Sequence, residues 1–288
     1  MGRTVEARVR ELREKLERAS RLYYEEGTSD ISDSEYDELF AELQAIEREH
    51  PELTTPDSPT MRVGSPLPKG TSFAKADHLS PMLSLDSLTS IDEVREFDER
   101  ARKFLGLDDG ETFRWVCEPK LDGVSANLLY EDGALVLGLS RGDGRTGEDI
   151  TQNLRTIRNL PLQLEDSSPP RRVEIRGEVI MSRDAFARLQ AESEATSDTP
   201  FRNARNTVAG TLKLLDPRIV ARRPLEFLCF GTGRADGLDQ ASHTERRAYL
   251  RECGFTVAEP HAVCEGINGV IDFHAGLDSR REELPYEI

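Results

Sequence analysis

The sequence lacks any apolar run approaching the roughly 20 residues that a membrane-spanning helix needs. Its first residues, Met1-Gly2-Arg3-Thr4-Val5-Glu6, pass straight into mixed charge. Neither a membrane span nor export by a cleavable signal is expected, and a cytoplasmic location follows. Cysteine is sparse and scattered: Cys117, Cys229, Cys253 and Cys264 form no C-x-x-C pair, and no His stands at zinc-finger spacing. No zinc site is expected, and Cys117 and Cys229, within apolar runs, read as small buried hydrophobes in a reducing compartment. Lysine is also rare. Only Lys15, Lys69, Lys75, Lys103, Lys120 and Lys213 contribute to the 38 basic residues, which face 54 acidic ones and leave a formal charge of -16. A surface of that sign repels a phosphate backbone. Contact with nucleic acid then calls for local Arg clusters, for further chain, or for a salt-rich cytoplasm that screens the surface.

What is present suits two domains: 288 residues, 37% hydrophobic and 32% charged. Val5, Val9, Leu12, Leu16, Ala19 and Leu22/Tyr23 recur at helical spacing and predict an amphipathic helix from residue 5 to about 24. A second helix follows. Asp33 or Ser34 can cap it, Tyr36, Leu39, Phe40, Leu43 and Ile46 form its apolar face, and His50-Pro51 stops it. Prolines crowd residues 51–69 and predict a linker, so residues 1–70 form a candidate helical domain. In residues 71–288 the pattern predicts helices over 91–104, 148–157, 183–194, 206–215, 244–253 and 267–281, and strands over 112–117, 125–130, 134–140, 172–181 and 225–230. Glu131-Asp132-Gly133 reads as a hairpin turn. Without a regular βαβ rhythm, the class is α+β with an antiparallel sheet.

Chemistry centres on Lys120-Leu121-Asp122-Gly123, preceded by Glu118 and placed where a strand ends. Four residues alone say little, because Asp-Gly supplies turn geometry and a solvated lysine is the plain alternative. A lysine that attacks phosphorus must be a free amine, whereas an ordinary lysine holds its proton to about pH 10.4. Desolvation and a neighbouring cation or metal can lower that value. Asp122 can organise a metal or the amine, Glu118 can accept a hydrogen bond from an adenine amino group, and Arg141 can meet ribose or phosphate. The plain alternative for Arg141 is a solvent-facing cation at a strand end.

Further strings surround this motif: Tyr23-Tyr24, Ser32-Asp33-Ser34-Glu35-Tyr36-Asp37, Asp57-Ser58-Pro59-Thr60-Met61-Arg62-Val63-Gly64 and Pro81-Met82-Leu83-Ser84-Leu85-Asp86. Others are Ser140-Arg141-Gly142-Asp143-Gly144-Arg145-Thr146-Gly147-Glu148-Asp149, Asn153-Leu154-Arg155-Thr156-Ile157, Arg176-Gly177-Glu178-Val179, residues 201–210 and Leu284-Pro285-Tyr286-Glu287-Ile288. With these, the sequence resembles the N-terminal part of bacterial-type NAD-dependent DNA ligases over nearly all its length. The resemblance implies a helical module for nicotinamide mononucleotide (NMN), residues 1–70, and an antiparallel-sheet nucleotidyltransferase (ATP-grasp-like) adenylation domain, residues 71–288. In that family a lysine attacks the α-phosphorus of NAD, releases NMN and holds AMP, which passes to a DNA 5′-phosphate before the nick is sealed. Magnesium offsets the growing charge.

Carried over, the resemblance makes Lys120 the nucleophile and Glu118 an adenine contact, with Asp122 beside the reacting centre. It puts Arg141 and Glu178 on AMP, Glu178 at the ribose, and Ser84 and Leu85 as backbone contacts to the nucleotide. Tyr23, Tyr24, Asp33, Tyr36 and Asp37 would embrace NMN, since tyrosines stack on a flat cationic ring and carboxylates favour its charge. Core packing between two helices is the plain alternative for Tyr23 and Tyr36, and an N-cap for Asp33. Arg205 would approach the phosphates and Arg281 would reach NMN; either can instead be a surface cation.

Gly27-Thr28-Ser29 stands where the family usually has Asp-x-Pro, Asn203-Ala204-Arg205 replaces Asn-Pro-Arg, and Ser87 stands where Asn is commoner. The sequence stops before the family's D-G-V-V-x-K segment and a later phosphate-contacting lysine. The oligonucleotide-binding barrel, zinc finger, helix-hairpin-helix array and BRCT module are likewise missing from it. The expectation is therefore a monomer that binds NAD or its NMN half and adenylates itself slowly, if at all. Nicked duplex DNA would be a partner of the full-length enzyme, with weak or no binding by this chain. A catalytically weak NAD- or NMN-binding module is the alternative. An ATP-using RNA ligase or capping enzyme would share K-x-D-G but leave the Tyr-Tyr and Tyr-Asp helices unexplained.

Overall fold

The computed structural model describes residues 5–25, 31–55, 58–62, 72–108, 111, 113–195 and 201–288. Its first elements are helices α1 (Val5–Glu25) and α2 (Asp33–Glu49). The apolar spacing read from the sequence becomes their shared core, with Val9, Leu12, Leu16 and Leu43 buried and Tyr36, Leu39, Phe40 and Ile46 packed around them. The α2 N-cap is Ser32 rather than the expected Asp33 or Ser34: it keeps an extended backbone, and its Oγ accepts from Glu35 N at 3.2 Å. His50 ends the helix, donating its N–H to the Ile46 carbonyl at 2.8 Å. Glu47, buried in this module, accepts from Arg13 Nη2 at 2.6 Å, from Ser58 Oγ at 2.7 Å and from Thr60.

The remaining elements, in chain order, are β1 (Lys75–Asp77), α3 (Ile91–Leu105), β2 (Arg114–Cys117), β3 (Val124–Glu131), β4 (Ala134–Ser140), β5 (Thr146–Glu148) and α4 (Thr151–Leu154). They continue with β6 (Arg172–Ile180), α5 (Arg183–Ala195), α6 (Ala204–Leu212), α7 (Pro217–Val220), β7 (Glu226–Asp236), α8 (His243–Glu252), β8 (Ala262–Glu265) and α9 (Gly266–Ser279). A four-stranded antiparallel sheet runs β4-β3-β6-β7, and β1-β5 and β2-β8 form two small antiparallel pairs. The class is the expected α+β. Asp132 and Gly133 both take positive φ, 48° and 82°, as a tight hairpin matching the right-handed strand twist requires.

The main core lies against this sheet, where Leu128, Tyr130, Ile175 and Val179 meet Leu154, Val208, Phe227 and Phe255. The helix predicted over 148–157 is a correction. Its first residue, Glu148, closes β5 and pairs with Lys75 of β1, and only residues 151–154 are helical. The apolar spacing there reflects burial of Ile150, Leu154 and Ile157 under the sheet rather than a continuous helix. Strand β7 runs on past the predicted 230 because Ala235 and Asp236 still pair with Val173 and Arg172. Strand β8, four residues long, carries no alternation that sequence reading could detect.

Candidate functional site

Strand β2 ends at Cys117, and Glu118, Pro119, Lys120 and Leu121 continue from it along the wall of a cavity of about 630 Å³. The turn that holds Lys120 is anchored from beneath: Leu121 packs with Ile180, Leu228, Ala258 and Tyr286. Asp122 donates its N–H to the Glu287 carbonyl at 2.9 Å. Gly123 lies so close to β6 that a Cβ there would collide with the Val179 carbonyl oxygen. The remaining walls come from Met82 to Leu85, Ser125 of β3, Arg141 after β4, Arg176 and Glu178 of β6, Phe230 of β7, His243 of α8 and Ala258. Sequence positions more than a hundred residues apart thus face one space.

Glu118, Glu178 and Arg141 are each held by partners of their own. Glu118 Oε2 meets His243 Nε2 at 2.9 Å, and Oε1 accepts from Arg247. Burial pushes the Glu118 carboxyl up, but His243 and Arg247 outweigh it and leave its pKa below the ordinary glutamate value. Glu178 shows the opposite balance. Burial raises its pKa, and the Ser125 hydroxyl, donating at 2.7 Å, and the charges of Lys120 and Arg205 offset that only in part. Arg141 Nη2 donates to Ser84 Oγ at 2.8 Å, tying the end of the hairpin to the 82–85 segment.

That segment is itself pinned by Glu174, which is 1% exposed. Its carboxylate accepts from Leu79 N at 2.8 Å, Ser80 N at 3.1 Å, Ser80 Oγ at 2.6 Å, Asn127 Nδ2 at 2.6 Å and Arg234 N at 2.9 Å. Arg176 adds bonds to the Ser80 and Pro81 carbonyls at 2.5 and 3.1 Å. These bonds fix residues 79–81 at the foot of the segment, whose Ser84 and Leu85 line the cavity and whose Leu83 and Leu85 side chains are 83% and 77% exposed.

Of the residues singled out in the sequence, Lys120, Glu118, Arg141, Glu178, Ser84 and Leu85 line this one cavity. Asp122 and Arg205 stand beside it as an ion pair at 2.8 Å. Arg281 lines a second hollow, also about 630 Å³, which shares Val116, Glu118, Pro119 and Lys120 with the first. Its guanidinium donates to the Ile288 carbonyl at 2.5 Å. Tyr36 is half-buried, stacks on Phe40 with ring centroids 6.5 Å apart, and has the Arg158 guanidinium 5.9 Å from its ring centroid. The Tyr36 ring thus packs in the helical core and also faces a cation. Tyr23 and Tyr24 fall in the last turn of α1, and Asp33 and Asp37 lie one turn apart on α2; their side chains lie outside the described residues.

Sequence reading missed Phe230, Arg176, His243, Arg247 and Ala258. Phe230 offers an aromatic face, but in the sequence it is one apolar residue in a strand. His243 and Arg247 look like surface positions of a polar helix until that helix is set against Glu118. The described residues contain no group of three or more His, Cys, Asp or Glu able to hold a metal ion. The four cysteines are free thiols, with Cys229 buried as expected and Cys117 only half-buried. No described helix is long and apolar enough to cross a membrane.

Residues 70–288 match the family model of the NAD-dependent DNA ligase adenylation domain, and residues 2–64 match that of the DNA ligase-like, N-terminal NAD+-binding domain. The chain is 44% identical over 284 residues to a DNA ligase of Geobacter metallireducens, covering 98% of this chain and 42% of that protein. It is 44% identical over 290 residues to a DNA ligase of Geotalea daltonii, covering 100% and 43%. A DNA ligase of Brevibacillus brevis is 43% identical over 286 residues, with 99% and 41% covered. The chain therefore spans about two-fifths of the length of the curated relatives it matches.

Proposed function

The chain belongs to the NAD-dependent DNA ligase family, and from that premise we propose that it recognises NAD and takes up its adenylate on Lys120. Residues 1–70 would serve as the NMN-recognition module and residues 71–288 as the adenylation domain. Lys120 Nζ, as free amine, attacks the α-phosphorus. The N–P bond forms as the bond to the bridging oxygen breaks, NMN leaves with that oxygen, and the amine proton passes to solvent. Glu118 receives the adenine amino group, Glu178 the ribose hydroxyls, and Arg141 the phosphate side of the nucleotide. Ser84 and Leu85 offer backbone contacts at the cavity edge. Tyr23, Tyr24, Asp33, Tyr36, Asp37 and Arg281 serve the NMN half, while Arg205 and Asp122 flank the reacting centre.

One observation carries this reading: Lys120 shares a single cavity with an ionised acceptor, a cation and a second carboxylate, each held by its own partners. Magnesium would take part as an ion that keeps most of its waters and binds largely through substrate phosphates, where it would neutralise charge. Transfer of AMP to a DNA 5′-phosphate and nick sealing belong to the longer enzyme.

The test is intact-protein mass spectrometry after incubation with NAD and magnesium. An adenylyl adduct is expected on the wild type, absent from Lys120→Ala and removed by excess NMN. Loss of the adduct in Lys120→Ala should be complete, because no other described lysine lines this cavity. Absence of any adduct on the wild type, with NAD binding retained, would leave a recognition module in place of an enzyme.

A further inference from the structure

Glu118 stands 125 residues before the His that binds it, and its two carboxylate oxygens are taken by two different donors from one helix. His243 is the first residue of α8, and Arg247 lies one turn later on the same face. Ser242 fixes the start of that helix through a capping box with Glu245. Arg247 is 2% exposed, a costly place for a guanidinium. Its two Nη atoms find acceptors in Glu118, the Ala258 carbonyl at 2.6 Å and Glu259 at 3.5 Å, and offset part of that cost. Glu259 is in turn held by Arg251 and by His261 Nδ1 at 2.7 Å. Arg247 therefore joins two cavity-wall residues, Glu118 and Ala258, to a charge network behind them.

We propose that His243 and Arg247 are positioning residues that lock Glu118 as an oriented anionic acceptor, so that the cavity selects a 6-amino purine nucleotide and rejects a 6-oxo purine. A carboxylate has about four lone-pair sites and no proton to donate. With one site on each oxygen engaged from behind, those remaining can accept an exocyclic N–H. A 6-oxo purine would turn a carbonyl oxygen against the same anion, leaving both buried acceptors unpaired. Protonation or free rotation of Glu118 would blur the distinction, since a carboxylic acid can donate to that carbonyl. The two α8 side chains oppose both, and the lowered carboxyl pKa accords with that role. This inference rests on the reading of the cavity as an adenylate site and concerns which base is admitted rather than the chemistry at Lys120.

The experiment is calorimetric titration of the 288-residue chain with AMP and, separately, inosine 5′-monophosphate. The wild type should favour AMP by about tenfold or more, the scale on which a site built for one hydrogen-bonding group rejects its analogue. His243 is partly exposed, so His243→Ala should keep the wild-type unfolding temperature while the ratio falls to about threefold or less, mainly through weaker AMP binding. His243→Gln, which restores a donor, should recover most of the ratio. Arg247→Met risks misfolding and is not needed for the decision. An unchanged ratio in His243→Ala, a failure of His243→Gln to recover it, or a wild type indifferent to the base would each overturn the proposal. AMP preference without a Lys120 adduct from NAD would sink the lysyl chemistry alone, and an adduct with an unshifted ratio would sink the base selection alone.

Discussion

Around Glu174 the sheet surrounds a buried carboxylate with six donors, whereas four residues further along β6 the half-buried Glu178 carboxylate takes one side-chain hydrogen bond. At both positions burial pushes the carboxyl upward. At Glu174 the bonds from Ser80, Arg234, Asn127 and Leu79 prevail and hold its pKa below the ordinary value; at Glu178 they do not. The contrast separates structure from use. A fully satisfied charge fastens one segment to another, while an under-satisfied charge facing a cavity has capacity left for a ligand. The helical module repeats the first pattern at Glu47, but with partners drawn from its own neighbourhood, Arg13, Ser58 and Thr60.

The strongest way to break this contrast is Glu174→Ala, which strands the Leu79, Ser80 and Arg234 N–H groups and the Asn127 amide. Urea unfolding should show a loss of about 3–5 kcal/mol, the scale for breaking a buried ionic network. Acid should sharpen it. Because the folded pKa of Glu174 lies below the unfolded one, its contribution is complete above pH 4.5 and is lost as the pH falls through the lowered folded value. The stability gap between wild type and Glu174→Gln should therefore narrow on acidification below that point, and a gap independent of pH would refute the assignment. The smallest effect belongs to Glu178→Gln. A carboxyl whose folded pKa is raised costs stability at neutral pH, so the amide should slightly raise the unfolding temperature of the free chain. The same variant should weaken AMP binding in calorimetry, placing the gain and the loss on one side chain.

The hairpin at Asp132-Gly133, the two N-terminal helices and the lysine turn were legible in the sequence because each is specified locally. Turn residues, apolar spacing and strand alternation act over a few positions. Lys120, Glu118 and Arg141 were legible as candidates from their own chemistry, and Glu178 only as a member of a resembling set; no spacing in the chain brings the four together. His243 and Arg247 gave no signal, since their significance lies in the packing of α8 against β7, which brings them to Glu118 just past the end of β2. The helix expected over 148–157 failed for a related reason. Ile150, Leu154 and Ile157 keep a helical spacing because the sheet buries all three, and burial from above imitates periodicity along the chain. Ser32 was overlooked as a cap because two further capping residues, Asp33 and Ser34, follow it directly.

Ser80 Oγ, which donates to Glu174, also accepts from Arg234 N at 2.9 Å, a partner 154 residues later in the chain. A ribosome adding about 5–20 residues per second needs about 8–30 s to span that interval. Throughout it the 79–85 segment has no β7 to dock beside, so this wall of the cavity cannot take its final shape before β7 has been made. Chains arrested before Glu226 should show rapid amide exchange over residues 79–85, and chains carried past Asp236 should show protection there.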